Sequence, residues 1–319
     1  MNNYELKHNK KRLLIVGYGD IGKRFLEQRL KYAYFGEKRN IFYEHFRTIV
    51  ISRSGLSNLN ERAVKDFKKI GVVELKLDLD DHKNIKRIAK LPTYVIVLIP
   101  TKHSTIQSTD PRMKKFCVFL KTNNAKCKGV YISTTGVYGD TKSKLIDETH
   151  HCKPKQLRSK RRLFNEKIFK NGPRFHILRV PGIYAKNRLP IERIKTNKPA
   201  LVPSDDVYTS HVHAEDLARI VFISIFKGKP TRTTNAVDDS RLKMADYFDE
   251  VSKAFDLPKT PRISKVKMNK FAEEKKISSM MAGFFKESRR LKNNRLKEEL
   301  KIALNYPNVV DYLKKLSNK

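Results

Sequence analysis

The sequence predicts an α/β chain: a doubly wound parallel sheet with a smaller C-terminal lobe over the sheet's carboxyl edge. Three observations predict it. Short β-type runs alternate regularly with helix-length amphipathic stretches as far as residue 180. The run at 94–99 (YVIVLI) is continuous and β-branched, as a strand buried on both faces requires. Between the first run and the first helix lies Gly17-x-Gly19-x-x-Gly22.

The strands expected are residues 12–16 (RLLIV), 48–52 (TIVIS), 72–77, 94–99, 129–133 (GVYIS) and 176–180 (HILRV). Between them fall helices at 23–30, with Phe25 and Leu26 inward, then at 60–70, 81–89, 110–122 and 156–170. Past residue 180 the pattern loosens into a mixed, proline-containing region, and no internal repeat or low-complexity linker interrupts the chain. A 319-residue chain with 39% hydrophobic and 9% aromatic residues can bury a large core. No run approaches the ~18 apolar residues of a membrane span, and the start MNNYELKHNKKR lacks the apolar stretch of a signal peptide. A soluble, cytoplasmic chain is expected, with Cys117, Cys127 and Cys152 as reduced thiols, odd in number and outside any metal-ligand spacing.

The formal net charge is +36. One reading is a polyanion partner; the other is composition, with lysine filling exposed positions. The bases run along the whole chain and no aromatic-rich RNA-binding signature accompanies them, so no specific nucleic acid and no membrane is expected as partner. A basic nucleic-acid-binding protein stays as an alternative, with affinity falling steeply as salt rises.

The glycine spacing follows a strand and opens a helix, and the mechanism is specific. Gly17 permits the tight turn, Gly19 lets a pyrophosphate approach the backbone, and Gly22 packs helix on strand. The helix N-terminus then presents free N–H groups to phosphate, which makes the loop of Gly17, Tyr18, Gly19, Asp20, Ile21 and Gly22 a candidate dinucleotide site. Residues 10–180, with a return segment near 205–240, form the expected NAD(P)-binding Rossmann domain, and 181–319 the expected substrate lobe. NAD binders usually end the second strand with a carboxylate on the ribose hydroxyls. This chain has Ser52-Arg53-Ser54, where a guanidinium and hydroxyls suit a 2′-phosphate. The pattern favours NADP over NAD, although Arg53 is also one of 69 Lys and Arg residues. Asp78 and Leu79 follow the third strand, beside the expected adenine. Ile99 and Pro100 end the fourth at the carboxyl edge.

With these residues placed, the chain resembles the short-chain dehydrogenase/reductase superfamily in its extended and atypical branches, which include the NAD-dependent epimerase/dehydratase group. The resemblance rests on 17–22, Asp78-Leu79, 133–139 with its Val-Tyr-Gly, 179–184 (RVPGIY), 211–218 (HVHAEDLA), and Ser288-Arg289-Arg290 with Asn293 and 296–300; it spans roughly residues 11–312. It implies a serine or threonine ending the fifth strand to orient substrate, here Thr134, and a Tyr-x-x-x-Lys pair on the next helix to move a proton. It also implies backbone contact between the 181–183 segment, beginning at Pro181, and the nicotinamide amide; a strand-ending turn is the alternative there.

Tyr138-x-x-x-Lys142 has the pair's spacing in the wrong place: Gly139 and Asp140 make it a turn, so the two side chains do not face each other as on a helix. Tyr34-x-x-x-Lys38 is a second accidental match. Glu166 matches a glutamate common four residues past the family's lysine, which puts Arg162 at the lysine position and Arg158 at the tyrosine position. An arginine cannot donate a proton near neutrality. Three readings stay open: Thr134 orienting a carbonyl with Tyr138 as proton donor, if nearby cations lower its pKa; Arg158 and Arg162 binding an anionic substrate; or a plain helical ladder of 158, 162 and 166.

His211 and His213 alternate on an extended segment and so face opposite sides, the wrong geometry for one metal, with Asp216 starting the next helix. Asp110-Pro111, near Arg112, either lines the pocket or starts a helix. The basic stretch 286–301 reads as a solvated helix face. The sequence thus predicts an NADP-preferring short-chain dehydrogenase- or epimerase-like protein acting by hydride transfer on a small polar or nucleotide-sugar substrate. The alternative is a non-catalytic NADP-binding sensor or scaffold.

Overall fold

A computed structural model describes residues 11–35, 46–53, 55, 56, 61–102 and 106–317. The apolar runs form β1 (Lys11–Val16), β2 (Phe46–Ser52), β3 (Val72–Lys76), β4 (Tyr94–Val97), β5 (Lys128–Thr134) and β6 (Arg174–Val180), and a short β7 (Thr233–Asn235) joins them. The amphipathic stretches between them form α1 (Asp20–Phe35), α2 (Glu61–Lys69), α3 (His82–Ala89), α4 (Pro111–Asn123), α5 (Leu157–Asn171) and α6 (Ala214–Lys227). The seven strands make one sheet in the order β7-β6-β5-β4-β1-β2-β3. β1 pairs in parallel with both β2 and β4, β2 with β3 and β4 with β5. The order reverses at β1, and that switch point is where open α/β sheets leave a ligand crevice at the carboxyl ends.

β7 was not expected, because its three residues, Thr-Thr-Asn, carry no apolar signal. β4 is shorter than the apolar run predicts. The amides of Leu98 and Ile99 both turn to the Val16 carbonyl, at 2.9 and 3.2 Å, and so leave the ladder. One arginine is built into this framework. Arg29 on α1 is 3% exposed and donates to Thr48 Oγ1, to the Phe46 carbonyl at 2.6 Å and to the Ile70 carbonyl at 2.7 Å. Burial lowers its pKa to about 10, so it stays charged at neutral pH with its donors satisfied.

The chain divides into two compact units. The first holds the residues up to Ser133, Arg161–Leu178 and Leu217–Thr233; the second holds Thr134–Lys160, Arg179–Asp216 and everything from Thr234 on. The stretch Leu217–Thr233 lies within the return segment expected near 205–240, whereas Thr134–Lys160, expected in the first domain, falls in the second unit. Residues 134–160 belong with the late segments because of specific bonds: Thr141 N and Oγ1 to the Ser288 carbonyl at 2.9 and 2.8 Å, and Ser288 N to Asp140 Oδ1 at 3.0 Å. The first unit's core gathers Leu14, Val16, Ile51, Ile85, Val97, Phe116, Phe169 and Phe175. The second unit's core gathers Tyr184, Leu201, Phe248, Val251, Phe285 and Leu313. Each large side chain fully buried this way contributes roughly 1.5–3 kcal/mol. No helix among the described residues is long and apolar enough to cross a membrane.

Candidate functional site

In the first unit the glycine loop ends β1 and opens α1. Gly17 has φ +103°, and a methyl group there would fall 2.5 Å from Ile99 Cγ2 and 2.9 Å from the Ile99 amide, so only glycine fits. Gly19 is different: a methyl group there would meet nothing within 4 Å. At Gly22 a methyl group would lie 3.2 Å from the Gly17 carbonyl, which fixes the close packing of helix on strand. The turn therefore leaves open space at one place, in front of Gly19, at the start of a 16-residue helix with its positive end forward. Asp20 would repel an anion there, but Arg24 Nε donates to both of its oxygens, at 3.1 and 3.2 Å. Ile21 is half-buried. The Tyr18 hydroxyl is buried with no hydrogen-bond partner, and burial, then Glu27 and Glu74, raise its pKa. These features fit a dinucleotide pyrophosphate.

At the end of β2 Arg53 is exposed, the Ser52 hydroxyl is buried without a hydrogen-bond partner among the described residues, and Ser54 lies outside them. The turn continues through Gly55, at φ +66°, and the Leu56 amide donates to Glu74 Oε1 at 3.0 Å. Asp78 is exposed, with Oδ1 accepting from the Asp80 amide at 2.9 Å. Leu79 is 5% exposed, and its side chain belongs to the core. Ile99 covers Gly17, and the Pro100 carbonyl accepts from Arg112 Nη2 at 2.9 Å. Asp110 is wholly buried as the N-cap of α4, accepting from the Met113 amide at 3.4 Å and the Lys102 amide at 3.3 Å, so it starts a helix.

α5 carries Arg162 and Glu166 within the first unit. Arg162 Nη1 donates to the Ile132 carbonyl at 2.7 Å and to the Tyr131 hydroxyl at 3.1 Å. Glu166, 1% exposed, accepts from Ser133 Oγ at 2.5 Å. The arginine at the lysine position thus holds the last turn of β5 in place. That is a positioning role for its Nη1.

The second unit holds the other candidates. Thr134 is half-buried and caps the short 3₁₀ turn Thr135–Tyr138, its Oγ1 accepting from the Gly136 amide at 3.2 Å. Its own hydroxyl proton remains to be donated. Tyr138 is 1% exposed, and its hydroxyl donates to Asn235 Oδ1 at 2.7 Å. Arg179 lies 4.6 Å over its ring, yet burial outweighs that cation and pushes the phenol well above its ordinary pKa. The Tyr138 hydroxyl thus stays protonated and is committed to Asn235, and the net shift is upward, which corrects the expectation that cations lower it. Lys142 has φ +49° in an exposed turn, as its sequence implied. Arg158 is half-buried, its guanidinium 5.9 Å from the Phe284 ring centroid. Pro181 is half-buried before the strand Gly182–Tyr184, which pairs with His211–His213.

His211 and His213 are both buried among tyrosines: His211 lies 4.4 Å from Tyr247 and His213 3.8 Å from Tyr306, ring to ring, and Tyr184 lies 6.3 Å from the first and 5.1 Å from the second. Asp216 accepts from the Asn305 and Tyr306 amides at 3.0 and 2.8 Å, a structural role. The stretch 286–301 is not the expected solvated helix face: Glu287, Ser288, Arg289, Leu291 and Leu296 are buried in it. Sequence reasoning missed Asn235, the Tyr138 partner 97 residues away, and also Glu74 and Lys76 below the Arg53 turn. The strand register could have pointed to the last two, since Ser52 pairs with Lys76.

Strand order, switch point and glycine loop define a Rossmann fold. Compared with family models the chain matches none, and no curated protein matches it. Solved structures do share its fold. A functionally unknown conserved protein from Silicibacter pomeroyi is 22% identical, with 97% of this chain and 98% of that one covered and a TM-score of 0.70. The dTDP-glucose 4,6-dehydratase DesIV from Streptomyces venezuelae, with NAD bound, is 15% identical over 96% of each chain, TM-score 0.71. The UDP-N-acetylglucosamine 4-epimerase from Bacillus cereus is 16% identical over 97% of this chain and 98% of that one, TM-score 0.64. The structural neighbours are thus NAD-dependent epimerases and dehydratases of the extended short-chain dehydrogenase type.

Proposed function

We propose that this chain binds NADP(H) through the glycine loop of its first unit and acts, by hydride transfer, on a small polar or nucleotide-sugar substrate. The observation that carries the reading is the glycine loop, open only in front of Gly19, beside a second strand that ends in an exposed arginine. The NAD held by DesIV supports a pyridine nucleotide, and Arg53 favours the 2′-phosphorylated form. When bound, the nicotinamide supplies hydride exchange. The residues assigned to hold the cofactor are those of the loop, Arg53, Asp78, Ile99 and Pro100; the Thr134 hydroxyl donates a hydrogen bond that orients a substrate carbonyl.

Fluorescence titration of NADPH and NADH at moderate salt tests the cofactor half. NADPH binds at least ~10-fold more tightly than NADH, and Arg53→Ala removes that preference while leaving NADH affinity in place. Equal affinities in the unaltered protein would end the NADP assignment.

A second reading, a non-catalytic NADP-binding sensor, is favoured by one observation: Tyr138 is locked in the core, and arginines occupy both positions of the proton-relay pair. NADPH oxidation across carbonyl and nucleotide-sugar substrates separates the two. Under the enzyme reading turnover appears, falls ~100-fold or more in Thr134→Val, and survives Tyr138→Phe. Tight NADPH binding with no turnover on any substrate supports the sensor.

A further inference from the structure

The parallel pairing of β2 with β3 sets Lys76 directly opposite Ser52, the last residue of β2, so the lysine emerges at the same strand ends as Arg53. Glu74 and Lys76 are two residues apart on β3 and share a face. Both run beneath the turn that follows Arg53. A methyl group on Gly55 would collide with Glu74 Oε1, and would lie 2.7 Å from Lys76 Cε. The two side chains are in different states. Glu74, the nearest carboxylate, is committed to the Leu56 amide at 3.0 Å. Lys76 is exposed and has no ion-pair partner among the described residues.

We infer that Lys76 is a specificity-determining residue: its ammonium is the second cation, with the Arg53 guanidinium, that holds the 2′-phosphate of NADP. The inference rests on the NADP reading above and deepens it. A dianionic phosphate is held better by two cations from different strands than by one mobile arginine, since each adds a charge-assisted hydrogen bond. The Lys76 stem lies against the Gly55 turn, so the ammonium starts close to where it acts and less rotamer freedom is lost on binding. The unpartnered Ser52 hydroxyl at the same strand end adds a further polar group there. The Glu74 carboxylate accepts from the Leu56 amide and so fastens the turn.

The test uses calorimetry with adenosine 2′,5′-bisphosphate and, in parallel, 5′-AMP, which differ only in the 2′-phosphate. The protein is the full chain, unaltered or carrying Lys76→Met, Lys76→Arg or Arg53→Ala. Lys76→Met weakens the bisphosphate ~10-fold and leaves 5′-AMP unchanged, while Lys76→Arg keeps most of the affinity. Lys76 is exposed, so folding is not at stake, and circular dichroism confirms it. If Arg53→Ala loses the bisphosphate preference and Lys76→Met does not, the role given to Lys76 is wrong while the NADP reading stands. If Lys76→Met weakens both ligands equally, Lys76 only supports the turn and the inference fails. If the unaltered protein binds both ligands alike, the NADP reading fails and takes this inference with it.

Discussion

Gly19→Glu abolishes NADPH and NADH binding, by at least ~100-fold, and leaves the melting temperature within about 2 °C of the unaltered protein. The two effects separate because Gly19 is unlike its neighbours in the loop. Among the described residues nothing lies within 4 Å of the position a Cβ would take, so a side chain leaves the loop there without a clash at its root. A carboxylate at a helix start is also favourable to the helix dipole. The only thing it opposes is an anion in the space ahead of α1. Gly17→Ala is the contrasting variant: its positive φ and the Ile99 contact make it costly to folding itself. Fluorescence titration and thermal melts of the two variants are the measurements. If Gly19→Glu binds NADPH normally while folded, the glycine loop is not a phosphate cradle.

Asp238→Asn makes the protein melt about 3 °C or more higher at pH 8.5, with little difference at pH 4. Asp238 is 4% exposed; Oδ1 accepts from the Ser240 amide at 2.9 Å, and Oδ2 has no hydrogen-bond partner among the described residues. Burial pushes its pKa up to about 8, far above the ordinary carboxyl value. A carboxyl whose folded pKa is raised contributes its full share of stability below its unfolded value, near pH 4, and loses it progressively as pH rises through about 8. Asparagine keeps the Oδ1 acceptor and cannot ionise, so it escapes that loss. His211, whose backbone carbonyl accepts from the Asp238 amide at 2.7 Å, works in the other direction. Its pKa is lowered to about 4 by burial, so its neutral form loses ground as pH falls from about 6.5 toward 4. That contribution is common to both proteins and cancels in their difference. Parallel melting curves across the whole pH range would mean that Asp238 is ionised in the folded state.

Much of the sheet was legible because most of its strands are apolar runs of strand length that alternate with helix-length stretches. The limits of legibility lie where hydrogen bonding overrides pattern. The run through Ile99 reads as strand, but two of its amides share the Val16 carbonyl and end β4 at Val97. β7 is polar and is a strand only because the sheet offers it an edge. In the site, the glycine loop could be read residue by residue, since φ and close contact dictate glycine locally. Tyr138 could not: its fate depends on Asn235 and Arg179, far along the chain, and on a burial that no spacing announces. Arg162 was placed correctly on its helix, yet its partners, Tyr131 and Ile132, lie on a different element.

The way the two compact units share the chain limits what can be cut or recombined. Each unit is assembled from three separated stretches, so no single break in the polypeptide yields one of them intact. A fragment ending at residue 180 would lack Leu217–Thr233 of the first unit, and a fragment beginning there would lack Thr134–Lys160 of the second. Neither unit can therefore be traded as a cassette by a simple gene fusion. Change in this architecture has to come through substitutions and loop exchange within a chain that is kept whole.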